Sequence, residues 1–383
     1  MKKLLIALCG IFLLAGCGQT DTSETPQTKN SGITNSSETI TIGAIAPLTG
    51  DAASLGEPIR NFYDLKISKI NENGGINGKN IEIIWEDGKC NPKDASIAAQ
   101  KLISIDKVNM IFSTCSGETL GIAPITEKNN VIIYTAVSTN PDVSDAGEYV
   151  FRVAPSDSGQ GNVLGTYANK QGFKKIGIIS EQTDYAIGVR DALTEVFSGE
   201  TVIENYLSTE SDFKSRITKL KASDIDALFI NPQTKNKLDL VLKQLKEQKW
   251  NGNILLNEFL GDNDVIDKYV DFLNEQPSVA GANFVAPDNQ VMVEFIAEYE
   301  KKFDKNPSYQ NYAATIVDSL DLLKKVLENV DDTNNTEEIK NELMAQQDFV
   351  GVYGPLQFDQ NGDVNIYHSL FTFNGKKFIP VTK

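Results

Sequence analysis

A single histidine, His368, stands among 383 residues, and its isolation removes most familiar catalytic sets. A Ser-His-Asp triad, an HExxH helix or a histidine-rich metal site needs an imidazole at a spacing that this chain does not offer, so no catalytic residue, metal ligand or cofactor is expected. His368 itself falls inside a predicted strand. Cysteine is nearly as scarce, with four in the chain, which leaves little material for a thiolate site. Basic residues are outnumbered, 36 Lys and Arg against 52 Asp and Glu, for a formal net charge of −16. That balance excludes nucleic acid or an anionic membrane surface as the main partner. Nucleotide signatures are missing as well. Gly74-Gly75-Ile76-Asn77-Gly78-Lys79 lacks Walker spacing and follows a helix, and Gly159-Gln160-Gly161-Asn162-Val163-Leu164-Gly165 has one residue too many for a dinucleotide fingerprint. Both read as turns and caps.

What is present begins at the N-terminus. Lys2 and Lys3 precede an apolar run from Leu4 to Leu14, far shorter than the ~20 residues that a bilayer span requires. Leu13-Leu14-Ala15-Gly16-Cys17 resembles the lipobox at which bacterial lipoproteins are cut, which predicts a signal peptide over 1–16 and a lipidated Cys17; a conventional signal peptide that happens to end at a cysteine is the alternative. From Gly18 to Thr39 the chain is polar, with Ile33 its only sizeable apolar residue, so residues 17–39 are expected to be a flexible linker. Treated as a coil, it would reach about 25 Å root-mean-square. No later segment is apolar enough to span, so membrane contact rests on the lipid alone. Loss of Lys2 and Lys3 takes the net charge from −16 to −18.

With Cys9 removed in the leader and Cys17 lipidated, Cys90 and Cys115 remain as a pair in an exported chain. A disulfide between them is predicted, worth roughly 3 to 4 kcal/mol in the chain-entropy model, although a count of two also fits two independent buried thiols.

The remaining 340 or so residues exceed one ordinary core and suggest two domains. Strand-like runs at Thr41–Ala46, Ile81–Trp85, Val108–Phe112 and Val131–Tyr134 alternate with helix-like segments at Glu57–Asn73, Pro92–Asp106 and Gly117–Asn129. The alternation restarts after Arg152, with strands at Lys175–Ser180, Thr201–Tyr206, Ala227–Ile230 and Asn253–Asn257. Helices near Tyr185–Ser198, Asp212–Lys221 and Lys235–Lys249 lie between them. A strand at Ala280–Val285, helices at Asn289–Phe303 and Tyr309–Asn329, and a hairpin at Asn374-Gly375 complete the pattern. The fold class is therefore α/β, with two parallel-sheet units in tandem.

Open α/β sheets bind ligands beyond the carboxyl ends of their strands, and three such ends carry short polar groups. They are Ser113-Thr114-Cys115-Ser116-Gly117, Thr135 to Thr139, and Asn257-Glu258. Ser116-Gly117-Glu118-Thr119 also looks like a helix start with Ser116 as cap, a place suited to a carboxylate.

Glu57-Pro58, Asn73-Gly74-Gly75-Ile76-Asn77-Gly78-Lys79, Trp85-Glu86-Asp87, Cys90-Asn91-Pro92-Lys93 and Ser113-Thr114-Cys115-Ser116 occur in that order. Through them the chain resembles the branched-chain amino-acid-binding (leucine/isoleucine/valine-binding type) substrate-binding proteins of ABC importers over roughly residues 40–373. The resemblance implies the type I periplasmic binding protein fold, two α/β lobes joined by three crossings that close over a ligand. Lobe 1 would be 40–156 plus 283–351, and lobe 2 would be 157–282 plus 352–383. It implies a Cys90–Cys115 disulfide. It also implies that Ser116, Thr139 and the backbone at Val137 and Ser138 hold the ligand's α-carboxylate, that Glu258 meets its α-ammonium, and that Tyr185 closes from the second lobe. Leu55 and Gln233 stand where such proteins carry aromatic walls, which leaves polar amino acids, amides or another small zwitterion open beside branched-chain ones. The expected protein is a monomeric, extracytoplasmic, lipid-anchored captor that hands an amino-acid-like solute to an ABC permease and is not an enzyme. The alternative on the same fold is a sensory receptor for amides or urea.

Overall fold

Strands covered on both faces read as near-continuous apolar runs, and the inner strands of the first sheet are written that way. The computed structural model describes residues 39–261 and 263–381; the leader, Cys17 and the linker through residue 38 lie outside the described residues. Five parallel strands form the first sheet: β1 (Ile40–Ala46), β2 (Ile81–Asp87), β3 (Met110–Ser113), β4 (Ile132–Thr135) and β5 (Val150–Arg152), in the spatial order β2-β1-β3-β4-β5. Between them run α1 (Ala53–Glu72), α2 (Pro92–Ser104) and α3 (Ser116–Asn129). β3, β4 and β5 are buried at every position. Alternation in β1 splits the core. Ile42 and Ala44 join Leu55, Ile59, Phe62 and Tyr63 of α1, whereas Ile45 joins Ala95, Ala98 and Leu102 of α2 on the opposite face.

After β5 the chain enters α4 (Asp157–Lys170) and a second sheet. β6 (Lys175–Glu181), α5 (Asp184–Val196), β7 (Glu200–Tyr206), α6 (Lys214–Lys221), β8 (Ala227–Asn231), α7 (Lys235–Glu247) and β9 (Asn253–Leu256) follow in regular alternation. The short helices α8 (Asn263–Ile266) and α9 (Val270–Asn274) then lead into β10 (Val279–Asn283). The chain returns to the first lobe through α10 (Gln290–Phe303), α11 (Gln310–Asn329) and α12 (Thr336–Ala345), where α10 and α11 pack on α1. A small hairpin, β11 (Phe349–Gly351) and β12 (Gly354–Leu356), precedes a last crossing to β13 (Ser369–Phe373) and β14 (Phe378–Pro380). The second sheet has the order β14-β13-β10-β9-β8-β6-β7, parallel from β7 through β10 and antiparallel at β13 and β14. Two parallel-sheet lobes with three crossings result, and the Asn374-Gly375 turn closes the terminal hairpin through Asn374 N to Lys377 O at 3.0 Å.

The two glycine stretches part ways. Gly74 and Gly75 adopt positive φ, +98° and +68°, in the turn that ends α1, as a turn reading requires. The second stretch is no turn, because Gly159, Gly161 and Gly165 all lie within α4. Gly161 serves close packing: a Cβ there would fall 2.4 Å from the Ala192 side chain, so α4 and α5 touch through their backbones. His368 also differs from expectation, sitting immediately before β13 instead of inside it.

Cys90 and Cys115 are disulfide-bonded, with Cα atoms 5.2 Å apart. Glu118 braces the bond from below, its carboxylate accepting Cys90 N at 3.0 Å and Cys115 N at 2.9 Å. Burial pushes the Glu118 carboxyl up to about 7 against the pull of these backbone donors.

Candidate functional site

The strand ends of the two sheets face one another, and local chemistry fixes what each presents. Cys115, not Ser116, is the cap of α3, so Ser116 is the first helical residue; its hydroxyl turns to the next loop and accepts Asn140 N at 3.2 Å. That loop leaves β4 and is held from several sides. Thr135 Oγ1 accepts the N–H groups of Val137 (3.3 Å) and Ser138 (3.1 Å), while Thr315 of α11 donates to Ala136 O at 2.7 Å. With those two amides engaged, the free groups of the loop are hydroxyls. Ser138 Oγ and Thr139 Oγ1 are buried and find no hydrogen-bond partner among the described residues.

Arg152 fixes the same loop from behind. Fully buried at the end of β5, it donates from Nη1 to the carbonyls of Thr139 (3.2 Å) and Asn140 (2.7 Å). Its other nitrogens clasp Asp363 of the last crossing through Nε–Oδ1 at 2.8 Å and Nη2–Oδ2 at 2.6 Å. This fork-to-fork geometry spends the guanidinium's charge on structure and leaves none for a ligand.

From the second lobe come Glu258 and Tyr185. Asn257, at the end of β9, donates to Pro232 O at 2.8 Å and accepts Phe259 N at 3.3 Å, which turns Glu258 inward. Glu258 is buried; its Oε1 accepts the Tyr312 hydroxyl of α11 at 2.5 Å, and its Oε2 is unpartnered among the described residues. Tyr185, in the first turn of α5, packs edge-on against Phe259 with 6.0 Å between ring centroids, and its buried hydroxyl is likewise unpartnered. Asn140 Nδ2 donates to Asp184 O at 2.6 Å, so the loop of Thr139 and the start of α5 meet directly.

Four groups of this site were not anticipated. Asp157 and Gln160 of α4 are fully buried, and Asp157 Oδ2 and Gln160 Oε1 have no partner among the described residues. His368 places Nε2 3.9 Å from Glu258 Oε2 and rests edge-on against Phe284, its two nitrogens also unpartnered among the described residues. Tyr312 is the fourth. Donor atoms of Asp157, Glu258 and His368 all lie within 4.8 Å of one another, close enough to share one cationic centre, whether a metal ion or an ammonium group. Burial, and then the neighbouring Glu258 carboxylate, push the Asp157 carboxyl well above the usual carboxylate range. Burial and Glu258 also lift the Tyr185 and Tyr312 phenols. Asp157 had a readable signal, since it is an acidic residue in the first turn of the helix that follows β5, directly after its cap Ser156. Tyr312 had none, lying inside a helix whose periodicity reads as core.

Leu55 and Gln233 stand apart from this cluster. Leu55 is 3% exposed and belongs to the first lobe's core on α1. Gln233 lies in the loop after β8, where its N–H donates to Glu181 Oε2 at 2.8 Å, and it lines a different cavity from the one bounded by Glu258 and Tyr312. The latter cavity, about 220 Å³, opens toward the α10–α11 connection.

Residues 39–376 match the family described as periplasmic binding protein. A "Leu/Ile/Val-binding protein homolog 2" of Brucella abortus is 26% identical over 387 residues, covering 96% of this chain and 94% of that protein. Among solved structures, a leucine-binding protein of Thermotoga maritima superposes with a TM-score of 0.75 at 24% identity, covering 90% of this chain and 99% of its own. A branched-chain amino-acid substrate-binding protein of Streptococcus pneumoniae, in complex with isoleucine, gives 0.73 at 24% identity over 89% and 98%.

Proposed function

Because the chain belongs to the periplasmic binding protein family and is a binding protein, not an enzyme, we propose that it captures a small amino acid outside the cytoplasm and delivers it to an ABC permease. One observation carries this reading: two buried carboxylates, Asp157 and Glu258, lie close together, and Asp157 N donates to Thr139 O at 2.8 Å in the loop that carries the buried, unpartnered Ser138 and Thr139 hydroxyls and is bonded to Ser116 at the start of α3. A zwitterion answers both halves. Its α-ammonium would pair with Glu258 and Asp157, while its α-carboxylate would take the Ser138 and Thr139 hydroxyls and the helix start at Ser116. The naming of the Brucella, Thermotoga and Streptococcus proteins for amino acids supports the same class.

Capture needs the lobes to prefer one relative position when ligand is held, which follows if the ligand touches both. Ser116 and Thr139 belong to the first lobe, Glu258 and Tyr185 to the second, so a bound amino acid would stabilise their approach. Anchoring through Cys17 completes the proposal. It rests on the Leu13–Cys17 pattern, and among the described residues no helix is long and apolar enough to cross a membrane.

A thermal-shift panel of the twenty amino acids with small amides and urea is the test, since a tight ligand raises apparent stability by mass action. Glu258→Gln should then weaken the best ligand by about 2 to 5 kcal/mol in calorimetry, the cost of removing one partner of a desolvated ion pair. An unchanged affinity would refute the assignment. A panel in which only amides or urea register would favour the sensory-receptor alternative.

A further inference from the structure

A second cavity, of about 370 Å³, lies beside the site, walled by the segments after β1 and β2 on one side and after β6, β7 and β8 on the other. It adjoins the amino-acid site through three contacts. Cys90 lines it and is bonded to Cys115, the residue before Ser116. Asp184 lines it and precedes Tyr185, and the Asp184 carboxylate is so near the α3 start that a Cβ on Gly117 would lie 2.5 Å from its Oδ2. With the α-ammonium and α-carboxylate engaged at Glu258 and Ser116, the side chain is the part of the ligand left to enter here.

The lining is unlike a branched-chain pocket. No Leu, Ile, Val, Phe, Tyr or Trp stands among its lining residues, where Asp51, Glu181, Asp184 and Gln233 supply acceptors. Lys89 is the one cation of the lining, and Asp94 pairs with it at 3.2 Å. Gln233 is 7% exposed, yet no group among the described residues bonds to its side-chain amide; only its backbone N–H is engaged, by Glu181. Glu181 is 2% exposed and is held in place by that N–H and by the Tyr206 hydroxyl at 3.5 Å. A buried carboxylate next to an unpaired carboxamide is complementary to N–H donors. An aliphatic group in the same place would strip both of water and return nothing.

The geometry points to a side-chain subsite formed by Glu181, Asp184 and Gln233, which selects amino acids whose side chains end in N–H donors, a carboxamide or a cation, over branched-chain ones. This inference rests on the amino-acid reading above and deepens it. Isothermal titration of the full-length protein with glutamine, asparagine, arginine, lysine, leucine, isoleucine, valine and glycine tests it, and the amide and cation arms tell the two sources of N–H donors apart. The nitrogen-bearing side chains should bind at least about tenfold more tightly than leucine, isoleucine or valine. Gln233→Leu and Glu181→Gln should each shrink that gap about tenfold and move glycine less than about twofold. Branched-chain ligands that bind as tightly as the nitrogen-bearing ones, or variants that weaken every ligand equally, would overturn the subsite alone. Silence from all eight amino acids would overturn the amino-acid reading and the subsite together.

Discussion

Reducing the Cys90–Cys115 bond separates what the disulfide does for stability from what it does for the site. The bond closes a loop across a sequence separation of 25. In the chain-entropy model, closure of that loop removes about 3.5 kcal/mol of freedom from the unfolded chain. Spread over the unfolding entropy of some 340 residues, roughly 0.7 kcal/mol per degree, this corresponds to a fall in Tm of about 5 °C. Scanning calorimetry should compare the oxidised protein, the same protein in dithiothreitol, and Cys90→Ala/Cys115→Ala. Because Glu118 already ties the Cys90 and Cys115 amides together, the folded geometry should survive reduction, and amino-acid affinity should change by less than about threefold. A Tm that stays within a degree of the oxidised value would refute the entropic account. Affinity lost while Tm holds would show instead that the bond positions the start of α3.

Two further outcomes follow from the buried charges. Asp157 is held well above the ordinary carboxylate range by burial and by Glu258, and an arriving ammonium would favour its charged form, so amino-acid binding should release protons and affinity should rise with pH until free Asp157 has titrated. Calorimetry in two buffers of different ionisation enthalpy reads this directly; identical heats, or an unchanged pH slope in Asp157→Asn, would contradict it. Asp363→Asn strips the counter-charge from the fully buried Arg152 and should cost about 3 kcal/mol in urea denaturation, whereas Arg152→Met, which leaves no buried charge behind, should cost less.

The alternation of strands and helices is legible in the sequence because fully buried parallel strands are written as uninterrupted apolar runs, and β1, β3, β4, β6 and β8 fall where those runs predict. The start of α2 is legible as well, since the helix expected from Pro92 begins there; its cap, Asn91, whose Oδ1 accepts Asp94 N at 3.0 Å, is a finding of the structure. α4 is not, because its three glycines read as turns while their actual use is to let α5 come near, a tertiary fact with no local signature. The site divides along the same line. Glu258 and Thr139 are short-range features of strand ends. Asp157, Tyr312 and His368 reach them from α4, α11 and the last crossing, and only the folded chain brings those segments together. His368 illustrates the limit well, since its rarity rightly argued against catalysis and said nothing about its place beside Glu258.

The Arg152 clasp changes how the boundaries of this protein should be drawn. Asp363 lies 211 positions from Arg152, and the guanidinium they share supports the carbonyls of Thr139 and Asn140. Any deletion that removes residue 363 therefore edits the loop at 139 as surely as a substitution within it. A binding unit cut to the first lobe would keep the Ser116, Ser138 and Thr139 hydroxyls and lose the brace behind their loop, so the smallest piece able to recognise its solute reaches to the last crossing.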